Sequence, residues 1–132
     1  MLKNRIIVIE DDKDINKLIA YNLKKEGFLV EQVYDGSKAR QRLSESFFDI
    51  VILDIMLPGR DGFAICKEFK ENEKYSRSFF IIASAKTEPK DRLYAHILGA
   101  DLYFTKPFLV GELVEEVKKL NFMQNKEYSA VR

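Results

Sequence analysis

Two short apolar runs in this chain end in carboxylates. "IIVI" at 6–9 leads into Glu10, Asp11 and Asp12, and "IVIL" at 50–53 leads into Asp54. A carboxylate that follows four residues of buried character, with Pro58 and Gly59 marking a loop behind it, is not the start of an ordinary helix. Two later runs end in groups that complement acid: one reaches Ser84, the other Thr105 and Lys106. Carboxylates gathered in one place repel and raise one another's pKa unless a cation joins them. Mg²⁺ answers that need, because it takes oxygen ligands octahedrally and keeps several waters. One or two carboxylates, a backbone carbonyl and a phosphate oxygen are then enough. Lys106 adds a point charge on a flexible stem, able to reach the carboxylates and later a phosphoryl group. A carboxylate can also be a nucleophile and form an acyl phosphate. Phosphoryl transfer needs positioning and charge neutralisation more than acid–base work.

Each residue also has a plainer role. Acidic residues after a strand are often helix N-caps, and Asp12 or Asp14 is expected to cap the first helix. "EDD" alone is as readily a cap as a metal site; Asp54 turns the reading toward the latter. A lysine beside a turn is usually a surface residue. Pro107 argues otherwise, since a cis Lys–Pro bond would aim the side chain, although the isomer is open at this level. His96 is read as a surface residue, and Tyr103 is also readable as a plain half-buried strand aromatic, the commoner fate of tyrosine.

The elements that must carry these residues are legible from periodicity. Strand candidates rich in β-branched and aromatic residues lie at 6–9, 28–33, 50–53, 79–83 and 102–104. Between them the apolar spacing changes to three and four. Ile15, Leu18, Ile19 and Leu23 form one stripe, Ala39, Leu43 and Phe47 a second, and Phe63, Cys66 and Phe69, with Ile65 alongside, a third. Leu93 with Ile97 marks a fourth helix, and Leu109, Leu113, Val117 and Leu120 a fifth. Gly27 and Gly99 stand where the first and fourth helices should stop. Five strand-then-helix units imply an α/β fold, a doubly wound five-stranded parallel sheet with helices on both faces. Strand order 2-1-3-4-5 suits five units, and sets the first and third strands side by side, roughly 4.8 Å apart, with a site beyond their carboxyl ends. That spacing brings Asp11 and Asp54 together.

The 132 residues suit one domain, and 22 Lys and Arg against 21 Asp and Glu give no net field to draw the chain onto nucleic acid or an anionic membrane. Cys66 is the sole cysteine, so no internal disulfide forms, and a reducing compartment fits. No run of eighteen apolar residues suggests a membrane span and no signal-peptide core opens the chain, so it reads as cytoplasmic. The mostly polar stretch from Asn121 to Arg132 reads as a frayed tail or the start of a connection.

Four segments in order, "IIVIEDD", "DIVILDIMLPGRDG", "FFIIASA" and "LGADLYFTKPF", give the chain a close likeness over about residues 4 to 121. It resembles the receiver domain of bacterial two-component response regulators. The resemblance implies a flavodoxin-like fold, a receiver over residues 1–122 and a tail or linker over 123–132. It implies that Asp54 is the phosphoacceptor, and that Glu10 and Asp11 hold Mg²⁺ with Asp54 and the backbone carbonyl of Met56. Ser84 matches the hydroxyl that reaches the phosphoryl group, Lys106 the lysine of the family motif, and Tyr103 the aromatic switch position. A sensor histidine kinase or phosphotransfer protein would be the donor. Output would pass through the surface of the fourth helix, fifth strand and fifth helix to an effector or a second copy.

Glu10 departs from the aspartate common at the first acidic position. Leu102 after Asp101 departs from the acidic pair used in one mode of dimerisation. Two rivals fit less well. A flavodoxin-type electron carrier needs a phosphate-cradling loop where "EDDKD" would repel the ligand. An aspartyl-nucleophile phosphatase wants a second aspartate where Met56 stands.

Overall fold

The computed structural model describes residues 4–59 and 61–131, with side chains as far as Asn121. Strand β1 (Arg5–Ile9) is followed by α1 (Lys13–Lys25), β2 (Leu29–Val33), α2 (Gly36–Glu45), β3 (Ile50–Leu53) and α3 (Gly62–Lys70). A 3-10 turn (Glu73–Tyr75) then precedes β4 (Phe79–Ser84), α4 (Pro89–Ile97), β5 (Leu102–Thr105) and α5 (Val110–Val131). The strands form one sheet, parallel as the alternation of units implies, in the expected order β2-β1-β3-β4-β5. The chain thus has the flavodoxin-like, doubly wound architecture expected of it.

Successive side chains of a strand point to opposite faces, so every central strand feeds two cores. Ile7, Ile9, Val51, Leu53, Phe80 and Ile82 pack under α2, α3 and α4, with Leu43, Ile65 and Phe69 among their neighbours. Ile6, Val8, Ile50, Ile52, Ile81 and Ala83 pack under α1 and α5, against Ile19, Leu23, Leu113 and Val117. β1 and β3 are buried on both sides, which is why they read as unbroken apolar runs. Gly27 and Gly99 have φ of 98° and 105°, the left-handed conformation that ends α1 and α4.

Several expected core positions lie outside the core. Leu93 and Ile97 of α4 are 61% and 67% exposed, and Leu109, just before α5, is 69% exposed. Leu18 and Phe47 also face solvent. The period was right for α4 but the face was wrong. This helix sits on the sheet through the small Ala95, so its large apolar residues point outward. In α1 the buried positions are Asn16, Ile19, Ala20 and Leu23, a face one residue removed from Leu18. Phe28 belongs to the turn after α1, its N–H donating to the Leu23 carbonyl, whereas β4 and β5 run one residue further, to Ser84 and Thr105. α5 continues to Val131, through the polar stretch read as a tail or connection, whose side chains from residue 122 on lie outside the described residues. No helix among the described residues is long and apolar enough to cross a membrane.

Candidate functional site

In a parallel sheet all carboxyl ends open on one edge, so the residue after each strand arrives at the same place. The register pairs Ile9 with Leu53, and the ladder runs one step beyond. The Asp54 N–H donates to the Ile9 carbonyl and the Glu10 N–H to the Val33 carbonyl, both at 3.0 Å. Glu10 and Asp54 therefore leave the sheet side by side, 2% and 4% exposed. Asp11, one residue on, is exposed, yet one carboxylate oxygen from each of Glu10, Asp11 and Asp54 lies within 4.8 Å of the others. On the far side β4 pairs Ser84 with Thr105 of β5, and the Lys106 N–H donates to the Ser84 carbonyl at 2.8 Å. Lys106 thus stands across from the carboxylates. The Lys106–Pro107 peptide is cis.

Both oxygens of Asp54 are engaged. Oδ1 accepts the Met56 N–H at 2.9 Å, and Oδ2 the Lys106 ammonium at 2.8 Å. The same ammonium lies 2.5 Å from Glu10 Oε1, while Glu10 Oε2 accepts the Asp12 N–H at 3.0 Å. Burial raises the Glu10 carboxyl above its ordinary 4.5 and the charge of Asp54 adds to this, against the opposing pull of Lys106 and the Asp12 N–H. Burial draws the Lys106 ammonium down, but its ion pairs with Asp54 and Glu10 outweigh that and hold it above 10.5. Lys106 is accordingly a fixed positive charge at physiological pH.

The donor set fits a hard divalent cation. All its ligand atoms are oxygens, and Glu10 Oε1 is a buried oxygen that meets Lys106 as an ion pair but accepts no hydrogen bond of proper geometry. That oxygen keeps lone-pair capacity beyond its ion pair with Lys106. The neighbouring Asp12 is the N-cap of α1, its side chain accepting from the Asp14 and Ile15 N–H groups.

Ser84 is fully buried, and its hydroxyl accepts the Lys86 N–H at 3.4 Å. Tyr103, half-buried on β5, donates its hydroxyl to the Lys86 carbonyl at 2.9 Å, with the Arg92 guanidinium 5.5 Å from its ring. Burial and the nearby charge of Asp91 raise its phenol above 10.0. Ser84 and Tyr103 therefore meet at one residue of the β4–α4 loop. Met56 is exposed, and its N–H is the group turned to Asp54. His96 lies on α4, away from this edge. Asp101 is occupied internally, by the Phe80 N–H at 2.8 Å and Lys70 at 3.6 Å.

Three residues of the site region were missed by the sequence reading. Lys86 carried no motif. Gly62 opens α3 directly against the Asp54–Ile55 backbone, where a Cβ would come within 2.5 Å of the Asp54 carbonyl oxygen and closer still to Ile55 Cα. Asn16 is 0% exposed and reaches the ends of β1 and β2. Its signal was a polar residue three and seven positions before Ile19 and Leu23, on the face that should be apolar.

Among known proteins, the family described as response regulator receiver domain matches residues 6–118. The BeF3-activated receiver domain of DrrB is 30% identical, with a TM-score of 0.82 over 90% of this chain and 97% of that one. The response regulator DrrB of Thermotoga maritima, an OmpR/PhoB homologue, is also 30% identical, with a TM-score of 0.84 over 93% of this chain and 54% of that longer one. A CheY-like receiver domain protein from Methanospirillum hungatei JF-1, 24% identical, shares the fold with a TM-score of 0.88 over 96% and 99% of the two chains.

Proposed function

This chain belongs to the response regulator receiver domain family, a family of signalling domains, and we propose on that premise that Asp54 accepts a phosphoryl group in a Mg²⁺-dependent reaction. The donor is a phosphohistidine on a sensor kinase or phosphotransfer protein, met in the cytoplasm. One observation carries the reading: Asp54 is clamped between the Met56 N–H and the Lys106 ammonium beside two further carboxylates. A carboxylate so held keeps its direction, and direction is what in-line transfer demands.

An Asp54 oxygen attacks phosphorus, the P–O bond forms as the P–N bond breaks, and the electron pair of the broken bond leaves on the imidazole. Glu10, Asp11, Asp54 and the Met56 carbonyl are the groups we assign to Mg²⁺. When bound, the ion offsets charge on the phosphoryl oxygens. Lys106 already sits at the nucleophile, and its ammonium shifts its ionic contact from Asp54 to a new phosphoryl oxygen with little movement.

The modification adds a charge of about −1.5 to −2 and three acceptor oxygens at this edge. Ser84 gives up the Lys86 N–H and donates to the phosphoryl group. Tyr103 leaves the Lys86 carbonyl and turns into the space vacated. Their shared attachment to Lys86 supports a coupled movement. The response is read on α4, β5 and α5, where exposed Leu93, Tyr94, Ile97 and Leu109 offer apolar contact to an effector or a second copy. We assign residues 1–122 to the receiver and 123–132 to a tail or linker.

The test is direct. Protein incubated with Mg²⁺ and a small acyl-phosphate donor should gain the mass of one phosphoryl group, with none gained by Asp54→Ala or in the presence of a chelator. Equal labelling of Asp54→Ala would reject the assignment.

A further inference from the structure

Glu10 approaches the acidic cluster from the last residue before a loop, on a side chain one methylene longer than aspartate. Where its carboxylate points depends on how its backbone is held. The Glu10 N–H is bound to the Val33 carbonyl, as the sheet requires. The Glu10 carbonyl is bound by a side chain, the amide of Asn16, whose Nδ2 lies 3.0 Å away. The same nitrogen reaches the Val33 carbonyl at 3.0 Å and the Val8 carbonyl at 3.3 Å, so its two hydrogens are shared among three acceptors. Gln32 Nε2 donates to Asn16 Oδ1 at 3.0 Å and thereby settles which side of the amide faces the strands.

These bonds close a ring around Asp11. The Asn16 N–H donates to the Asp12 carbonyl, the Asp12 N–H to Glu10 Oε2, and Asn16 Nδ2 to the Glu10 carbonyl. Burying a polar side chain is costly unless its bonds are made, and an apolar residue on this face of α1 would pack without that cost. The amide at this position serves the strand ends instead. We propose that Asn16 is a positioning residue for the cation site: it fixes the directions of Glu10 and Asp11, and so the Mg²⁺ affinity, without touching the ion. This rests on reading the acidic cluster as a Mg²⁺ site.

The test titrates Mg²⁺ into isotope-labelled protein and follows the amide shifts of the site residues, in the wild type and three variants. Asn16→Ala should weaken Mg²⁺ binding about tenfold, the scale seen when a group that orients a metal ligand is removed. Saturating Mg²⁺ should return its Asp54 labelling by an acyl phosphate to the wild-type maximum, a split that loss of folded protein would not produce. Gln32→Met keeps Asn16 but frees its Oδ1, and should weaken binding in the same direction by a smaller factor. Tyr75→Phe removes a hydroxyl whose one hydrogen is shared between the Leu43 and Ser46 carbonyls, at the opposite end of the sheet, and should keep wild-type affinity. If Asn16→Ala does not fold, Gln32→Met decides. Unchanged affinity in the folded Asn16 and Gln32 variants overturns the positioning role while leaving the cation site standing, as does equal weakening by Tyr75→Phe. A wild type without Mg²⁺ affinity overturns both.

Discussion

At the scale of single residues, burial decides which groups keep an ordinary chemistry. Asp54 and Glu10 are buried acids made tolerable by one ammonium, whereas Cys66 is a buried thiol whose burial outweighs the opposing charge of Lys70. Burial raises its pKa from 9.0 to about 11. The folded thiol therefore holds its proton where the unfolded one loses it. Between those values the unfolded state binds fewer protons, so stability falls as pH rises. The loss should begin near pH 9.0 and approach 2 to 3 kcal/mol, roughly, by pH 11. Tyr75, raised by burial from 10.0 to about 12, steepens the same limb at its upper end. Urea unfolding across this range should show the decline, and Cys66→Ala should remove its lower part. A pH profile identical in the variant would show that the thiol is not its source.

At the scale of elements, the site depends on how tightly a helix and a strand end approach. α3 can begin where it does because Gly62 has no side chain; its N–H donates to the Ile55 carbonyl at 3.2 Å, and a methyl group would strike the Asp54 backbone. Gly62→Ala should therefore cost about 1–3 kcal/mol, the range for overpacking, because the obstruction is backbone and cannot rotate away. The same shift moves the Asp54 carboxylate away from the Met56 N–H and Lys106. Its phosphorylation by an acyl phosphate should slow even at temperatures where the variant is fully folded. A folded variant labelled at the wild-type rate would show that the carboxylate tolerates the displacement.

At the scale of the whole molecule, the acidic edge and the exposed apolar face of α4 occupy different ground. The carboxylates sit at the carboxyl edge of the sheet, while the exposed apolar residues of α4 belong to no core. Ile97→Glu, at a side chain 67% exposed, should change stability by less than about 0.5 kcal/mol and leave Asp54 labelling intact. It should lower the affinity of the phosphorylated protein for whatever docks on that face. Thermal unfolding and labelling kinetics check the first two expectations. A large loss of either would place Ile97 within the fold's own machinery.

Much of this was readable from residue order, for a definite reason. Alternating strands and helices force a parallel sheet, and a parallel sheet sends the residues after its strands to one edge. Glu10, Asp11, Asp54, Ser84 and Lys106 can thus be gathered from residue order, because their meeting depends on topology. Which face of a helix lies on the sheet depends on the shapes opposite it. That is why Leu93 and Ile97 were misassigned while Ala95 went unnoticed, and why the roles of Gly62 and Asn16 became visible only beside the backbone they serve. One-dimensional periodicity carries spacing but not contact, and contact is what tertiary packing decides.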